Sequence, residues 1–230
     1  MVYLIGVEHG VQSIPSNGPE TSNHKAYRLC LEQVIRDYKP TVIAEEYSTE
    51  SLDRVKYLNP STTYDFFTRK IATNAGVEHI FCEPKLKVRF QLGCQGRAQW
   101  SKMLASLDNA IPADECDSLG IAMEINIEWP IREKYWLDQL GPAIKNEIVF
   151  VCGDGHLKTF ADLLNSRGIP SSVVERKIGM TPELIKQSDS EVQYANENRT
   201  RIEGYYQALL KKYGGTIPKH PLLSQLERTI

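Results

Sequence analysis

Three short oily runs, VYLIGV from Val2, TVIAE from Thr41 and IVFVCG from Ile148, constrain this chain more than any other feature. None alternates apolar with polar residues, so each reads as a strand covered on both faces, as in a parallel sheet packed between helices. Helical periodicity separates them. Tyr27, Leu31, Val34, Ile35 and Tyr38 recur at spacings of three and four, with Ser22 or Asn23 as the expected N-cap. TTYDFFTRKIATNAG reads as a second helix stopped by Gly76, and LKTFADLLNSRG as another with Gly168 beyond its end. VEHIFCEP and IPSSVVERKIG add two strands. This order predicts an α/β fold with a mainly parallel central sheet flanked by helices. One main domain is expected over 1–181, carrying a helical insertion at about 85–146, with a C-terminal helical extension over 182–230 packed on it.

In an open parallel sheet the loops beyond the strands' carboxyl ends converge, and ligands bind there. His9 follows the first run, Glu45 and Glu46 end the second, Glu83 ends VEHIFCEP, and Asp154 and His156 follow the last. A charge or imidazole at the end of a buried strand is costly unless paired, hydrogen-bonded or bound to a metal. Two imidazoles with one or two carboxylates and no thiolate make a good divalent-cation set, suited to zinc, manganese, iron or cobalt. His9, His156 and whichever of Glu46 and Glu45 faces the cleft are therefore the expected ligands, with Asp154 as a further ligand or as the group that orients an imidazole, and metal-assisted hydrolysis is the expected chemistry. Strand geometry sends Glu45 and Glu46 to opposite faces, so one of them points into the cleft. Glu83 is the candidate general base. Gly6 and Gly153, each three residues before a histidine, are expected to let the backbone turn tightly there. His79 is read as a core histidine, and His24 and His220 as solvated.

Other function classes lose ground on composition. A net charge of -2 and a pI near 6.2 leave no electrostatic footprint for nucleic acid or an anionic membrane. Five scattered cysteines without a C-x-x-C pair argue against a disulfide framework and for a reducing cytoplasm. No run approaches the roughly 20 apolar residues of a membrane span. CGDGHLKTF lacks the spacing of a phosphate loop.

The paired GVEH and GDGHL, the KPTVIAEEY strand and the arginine of PIREKYWLDQL resemble the TraB/PrgY and TIKI family, within the wider EreA/ChaN-like superfamily. The resemblance runs from about Val2 to Gly168 and rests on the order and spacing of short motifs. It implies an active site built from His9, Glu46, Arg132 and His156, with Arg132 binding a substrate carboxylate or phosphate or stabilising an oxyanion. For the TIKI-like branch it implies metal-dependent cleavage of peptide bonds; for the esterase branch, a histidine base without obligatory metal; for the ChaN branch, haem-type iron. Glu8 and Asp154 depart from the common pattern and add carboxylates, which favours a cation over haem. The expected function is thus a metal-dependent hydrolase of peptide or ester/amide bonds, acting on a small molecule or peptide, with a homodimer as a possible assembly. A non-catalytic protein using the same cleft for a metal, haem or small anion is the alternative, as is a metal-independent esterase.

Overall fold

The computed structural model describes residues 1–52, 63–107 and 111–223. Thr62, part of the expected break at 108–120 and the end of the C-terminal extension lie outside the described residues. The described chain divides into two compact units, the first formed by Met1–Pro84 and Glu133–Ile185, the second by Lys85–Arg132 and Lys186–Ile230. This differs from the expected division at 181/182. Residues 133–146 of the expected insertion stay with the sheet, and 85–132 group with the C-terminal helices.

The first unit holds five strands in one sheet: β1 (Val2–Val7), β3 (Val42–Glu45), β5 (Glu78–Phe81), β6 (Ile148–Gly153) and β7 (Ser171–Ile178), ordered β5-β3-β6-β1-β7. Every neighbouring pair is parallel. A small antiparallel pair, β2 (Ser13–Pro15) and β4 (Tyr64–Phe66), stands apart, so Tyr64–Phe66 is a strand and not the start of the helix that the sequence predicts there. Among the described residues, the helices that flank this sheet include α1 (Ser22–Tyr38), α2 (Phe67–Asn74), most of α6 (Trp129–Leu140) and α7 (Leu157–Ser166).

The oily runs lack alternation because both faces are covered. Val2, Leu4, Val42, Ala44, Ile148, Phe150 and Cys152 pack with Trp136 and Leu140 of α6 and with Leu157, Phe160 and Leu164 of α7. The intervening Ile5, Val7, Ile43, Val149 and Val151 pack with Tyr27, Leu31 and Val34 of α1 and with Phe67 and Ile71 of α2. Thr21, not Ser22 or Asn23, caps α1, accepting from His24 N–H through its side chain. Gly76 and Gly168 sit beyond α2 and α7 at φ +70 and +71, a conformation glycine adopts without steric cost.

Topology then positions a site. β6 lies between β3 and β1, with Val7 level with Gly153 and Glu45 level with Val151. The helix after β1 packs on one face of the sheet and the helix after β6 on the other. Two adjacent parallel strands whose following helices diverge in this way open a crevice between their carboxyl ends. His9 and His156 follow those two strands.

The second unit contains α3 (Leu86–Gln91), α4 (Arg97–Ala105), α5 (Ala113–Met123), a π-helical turn (Glu124–Glu128), the start of α6, and most of α8 (Pro182–Glu197) followed by α9 (Arg199–Lys212). Trp100, Leu119, Met123, Ile202 and Leu209 form its core. Glu128 Oε1 accepts from Gln95 N–H at 2.5 Å, Gly96 N–H at 2.6 Å and Trp100 Nε1–H at 2.6 Å. Among the described residues of the chain, no helix is long and apolar enough to cross a membrane.

Candidate functional site

The crevice gathers His9, Glu46 and His156 around one oxygen. Glu46 Oε1 lies 3.7 Å from His9 Nε2 and 3.5 Å from His156 Nε2. Its other oxygen, Oε2, accepts from Gly153 N–H at 2.8 Å, so the carboxylate is fixed to the end of β6. Glu46 and His156 are buried, whereas the His9 side chain is 48% exposed and forms the open side of the cluster.

The remaining ring nitrogens decide what the cluster presents. His156 Nδ1 meets Glu133 Oε1 at 2.8 Å, and Thr159 Oγ1 donates to that same oxygen. His9 Nδ1 meets Gln12 Oε1 at 2.8 Å, while the Gln12 amide nitrogen donates to Glu45 Oε2 at 2.8 Å. In neutral rings both Nδ1 atoms, facing acceptors, would be the donors, and each Nε2 would carry the lone pair. Two lone pairs and a carboxylate oxygen thus face one another.

The glycines of the two Gly-x-x-His stretches serve close approach rather than a special turn, since neither has a positive φ. A Cβ on Gly153 would stand 2.9 Å from His9 Nε2 and 3.4 Å from Glu46 Oε2. One on Gly6 would stand 2.5 Å from both Asp154 Oδ1 and Leu157 Cδ1.

The other expected site residues stand differently. Asp154 turns to β7: its Oδ2 accepts from Arg176 Nη2 at 3.0 Å and its Oδ1 from Lys177 N–H at 2.9 Å. Lys177 has φ 58 at the irregular end of that strand, so Asp154 anchors a strained backbone, and its expected place as a metal ligand is not what these contacts serve. Glu83 Oε2 accepts from Trp136 Nε1–H at 2.9 Å, and the Trp136 ring packs edge-on against the His156 ring with centroids 4.8 Å apart. Arg132 is buried one residue before Glu133 and belongs to the second unit. Glu45 is fully buried, its Oε1 2.8 Å from His79 Nε2, so His79 is a satisfied core histidine. His24 corrects the solvated reading. It is buried, with Thr21 Oγ1 2.7 Å from one ring nitrogen and Ser13 O 2.8 Å from the other. His220 stacks on Phe90 with centroids 3.8 Å apart, and partial burial lowers its pKa.

Gln12, Glu133 and Thr159 were missed in the sequence. Gln12 and Thr159 each lie three residues after a site histidine, a spacing that brings side chains together on a helical turn. Glu133 sits beside Arg132 in a mostly helical stretch whose sequence does not mark which side chain reaches the site. The cysteines are all free thiols, with burial raising the pKa of Cys82 well above and that of Cys30 to about 11.

No family model, curated protein or solved structure matches this chain. The functional reading therefore rests on the cluster's own chemistry.

Among the described residues, no group of three or more His, Cys, Asp or Glu side chains is placed closely enough to hold a metal ion. The 3.5 and 3.7 Å separations exceed slightly the ~3.3 Å edge that a tetrahedral ion with bonds of ~2.05 Å imposes. The donor types, two imidazole nitrogens and a carboxylate oxygen with both imidazoles oriented from behind, are those that borderline cations take.

Proposed function

We propose that this chain is a metal-dependent hydrolase of peptide or ester/amide bonds, with His9, Glu46 and His156 as the protein ligands of one divalent ion. The convergence of two Nε2 lone pairs on Glu46 Oε1, with each Nδ1 already held by an acceptor, carries the reading. The TraB/TIKI-like order of motifs agrees with it. When bound, a divalent ion supplies Lewis acidity, polarising a substrate carbonyl and acidifying water.

The chain's own residues do the rest. Glu133 and Gln12 fix the two ring orientations, and Gly153, lacking a Cβ, leaves room beside His9 Nε2 for a small reacting group. Half-exposure of His9 gives substrate and water a route in. Glu83 serves in this reading to hold Trp136 against His156, not as the base. Asp154 serves β7 and stays outside the ligand set.

The test is calorimetric titration of the full chain with Zn²⁺ and Mn²⁺, followed by hydrolysis assays on p-nitrophenyl esters and fluorogenic peptides. The expected result is one ion per chain and a metal-dependent activity lost in His9→Ala, a substitution at a half-exposed site that spares the fold. Binding without turnover would point to a metal-binding protein. Absence of any divalent-ion binding would overturn the proposal.

A further inference from the structure

His9 and His156 offer the same ring nitrogen to the same Glu46 oxygen, yet their other nitrogens are held by chemically different partners. Behind His156 stands a carboxylate, Glu133, which can only accept. Behind His9 stands an amide, Gln12, which can present either a carbonyl or an NH₂. Gln12 therefore orients His9 only if something orients Gln12.

Glu45 does so. Its Oε2 receives the Gln12 amide N–H at 2.8 Å, and its Oε1 is engaged by His79 Nε2 at 2.8 Å. With NH₂ committed to the carboxylate, the Gln12 carbonyl must face His9 Nδ1. Turning the amide over would set its carbonyl against the Glu45 carboxylate. Gln12 and Glu45 are fully buried, and the His79 side chain is 6% exposed, so bulk water does not replace these bonds.

We propose that Gln12, oriented by Glu45 and His79, is the positioning residue that keeps His9 in its Nδ1–H tautomer and so presents the Nε2 lone pair to Glu46 and a divalent ion. The inference rests on the metal-site reading above. It gives the adjacent carboxylates separate tasks. Glu46 faces the two imidazoles directly, while Glu45, on the other side of the strand, acts on His9 through Gln12. It also makes the cluster asymmetric, with His156 held by a carboxylate and His9 by a neutral amide whose orientation is itself set from behind.

The experiment is long-range ¹⁵N NMR of the imidazole rings in the metal-free full chain, at a pH where they are neutral, with Zn²⁺ titration of the same samples. Wild type should show His9 and His156 as Nδ1–H tautomers. Gln12→Leu should move His9 to Nε2–H, leave His156 unchanged, and weaken Zn²⁺ binding about 10–100-fold. Glu45→Gln keeps the volume and the fold while freeing the amide to turn, and should give His9 a mixture of tautomers. An unchanged His9 tautomer in the folded variants overturns the role of Gln12. Failure of wild type to bind Zn²⁺ overturns the metal reading instead, and the tautomer shift still decides the role of Gln12.

Discussion

Gly153→Ala separates the chemistry of the cluster from the stability of the fold. The new Cβ would stand 2.9 Å from His9 Nε2, 3.3 Å from His9 Cε1 and 3.4 Å from Glu46 Oε2. Ordinary contact with the nearest of these atoms needs about 3.4 Å or more, so the imidazole must retreat by roughly 0.5 Å. The His9 side chain is 48% exposed and can swing outward, which keeps the stability cost at the low end of overpacking, about 1 kcal/mol. That same movement widens a 3.7 Å separation from Glu46 Oε1 that metal binding must narrow. Since a 1 Å misplacement can cost about 100-fold in rate, about 10-fold in Zn²⁺ affinity and in any metal-dependent turnover is expected here. Gly6→Ala is the control: its Cβ meets Asp154 Oδ1 and Leu157 Cδ1, both on buried residues, at 2.5 Å, and should cost about 1–3 kcal/mol. Urea denaturation gives the stabilities and calorimetry the affinities. If Gly153→Ala binds Zn²⁺ as wild type does, His9 is not a ligand and the reasoning fails.

Three further outcomes are expected. Asp154→Asn should weaken the fold by about 1 kcal/mol, the ion pair being discounted because Arg176 is half-exposed, and leave metal affinity unaltered; a 10-fold loss of affinity in a stable variant would return Asp154 to the ligand set. Burial raises the pKa of Cys30 from 9.0 to about 11, so its contribution to stability is complete below 9.0 and is lost as pH rises through about 11, while buried Cys82 and Tyr27, raised further, lose theirs only at still higher pH; urea midpoints that stay flat from pH 9 to 11 would contradict this. In the second unit, Glu128→Ala leaves three donors without their acceptor and should cost at least about 3 kcal/mol, whereas Glu128→Gln keeps an accepting oxygen and should cost less than half as much; equal losses would show that Glu128 does not tie Gln95, Gly96 and Trp100 together.

The sheet is legible in the sequence because burial on both faces leaves an unmistakable mark. Val2–Val7 and Ile148–Gly153 are wholly apolar apart from glycine and the Tyr3 hydroxyl, and no other covered arrangement of such short runs suits the helices between them. Strand ends are legible for the same reason, since a polar residue closing such a run must have partners. Partner choice is not. Asp154 and His156 are two residues apart, yet one turns to Arg176 and the other to Glu46 and Glu133, a division set by the irregular end of β7. Glu45 and Glu46 separate by strand geometry, but the link from Glu45 through Gln12 to His9 depends on a loop conformation with no periodic signature. The second unit is hidden because it joins 85–132 to residues beyond 186, across the whole last βαβ passage of the sheet.

Anomalous diffraction from crystals of the full chain grown with Zn²⁺ or Mn²⁺, measured at the corresponding absorption edge, tests the central claim most directly. The account predicts one strong peak within about 2.0–2.2 Å of His9 Nε2, His156 Nε2 and Glu46 Oε1, with Asp154 still on Arg176. No peak at that position with either metal, or one bound by Asp154 in place of Glu46, would contradict it.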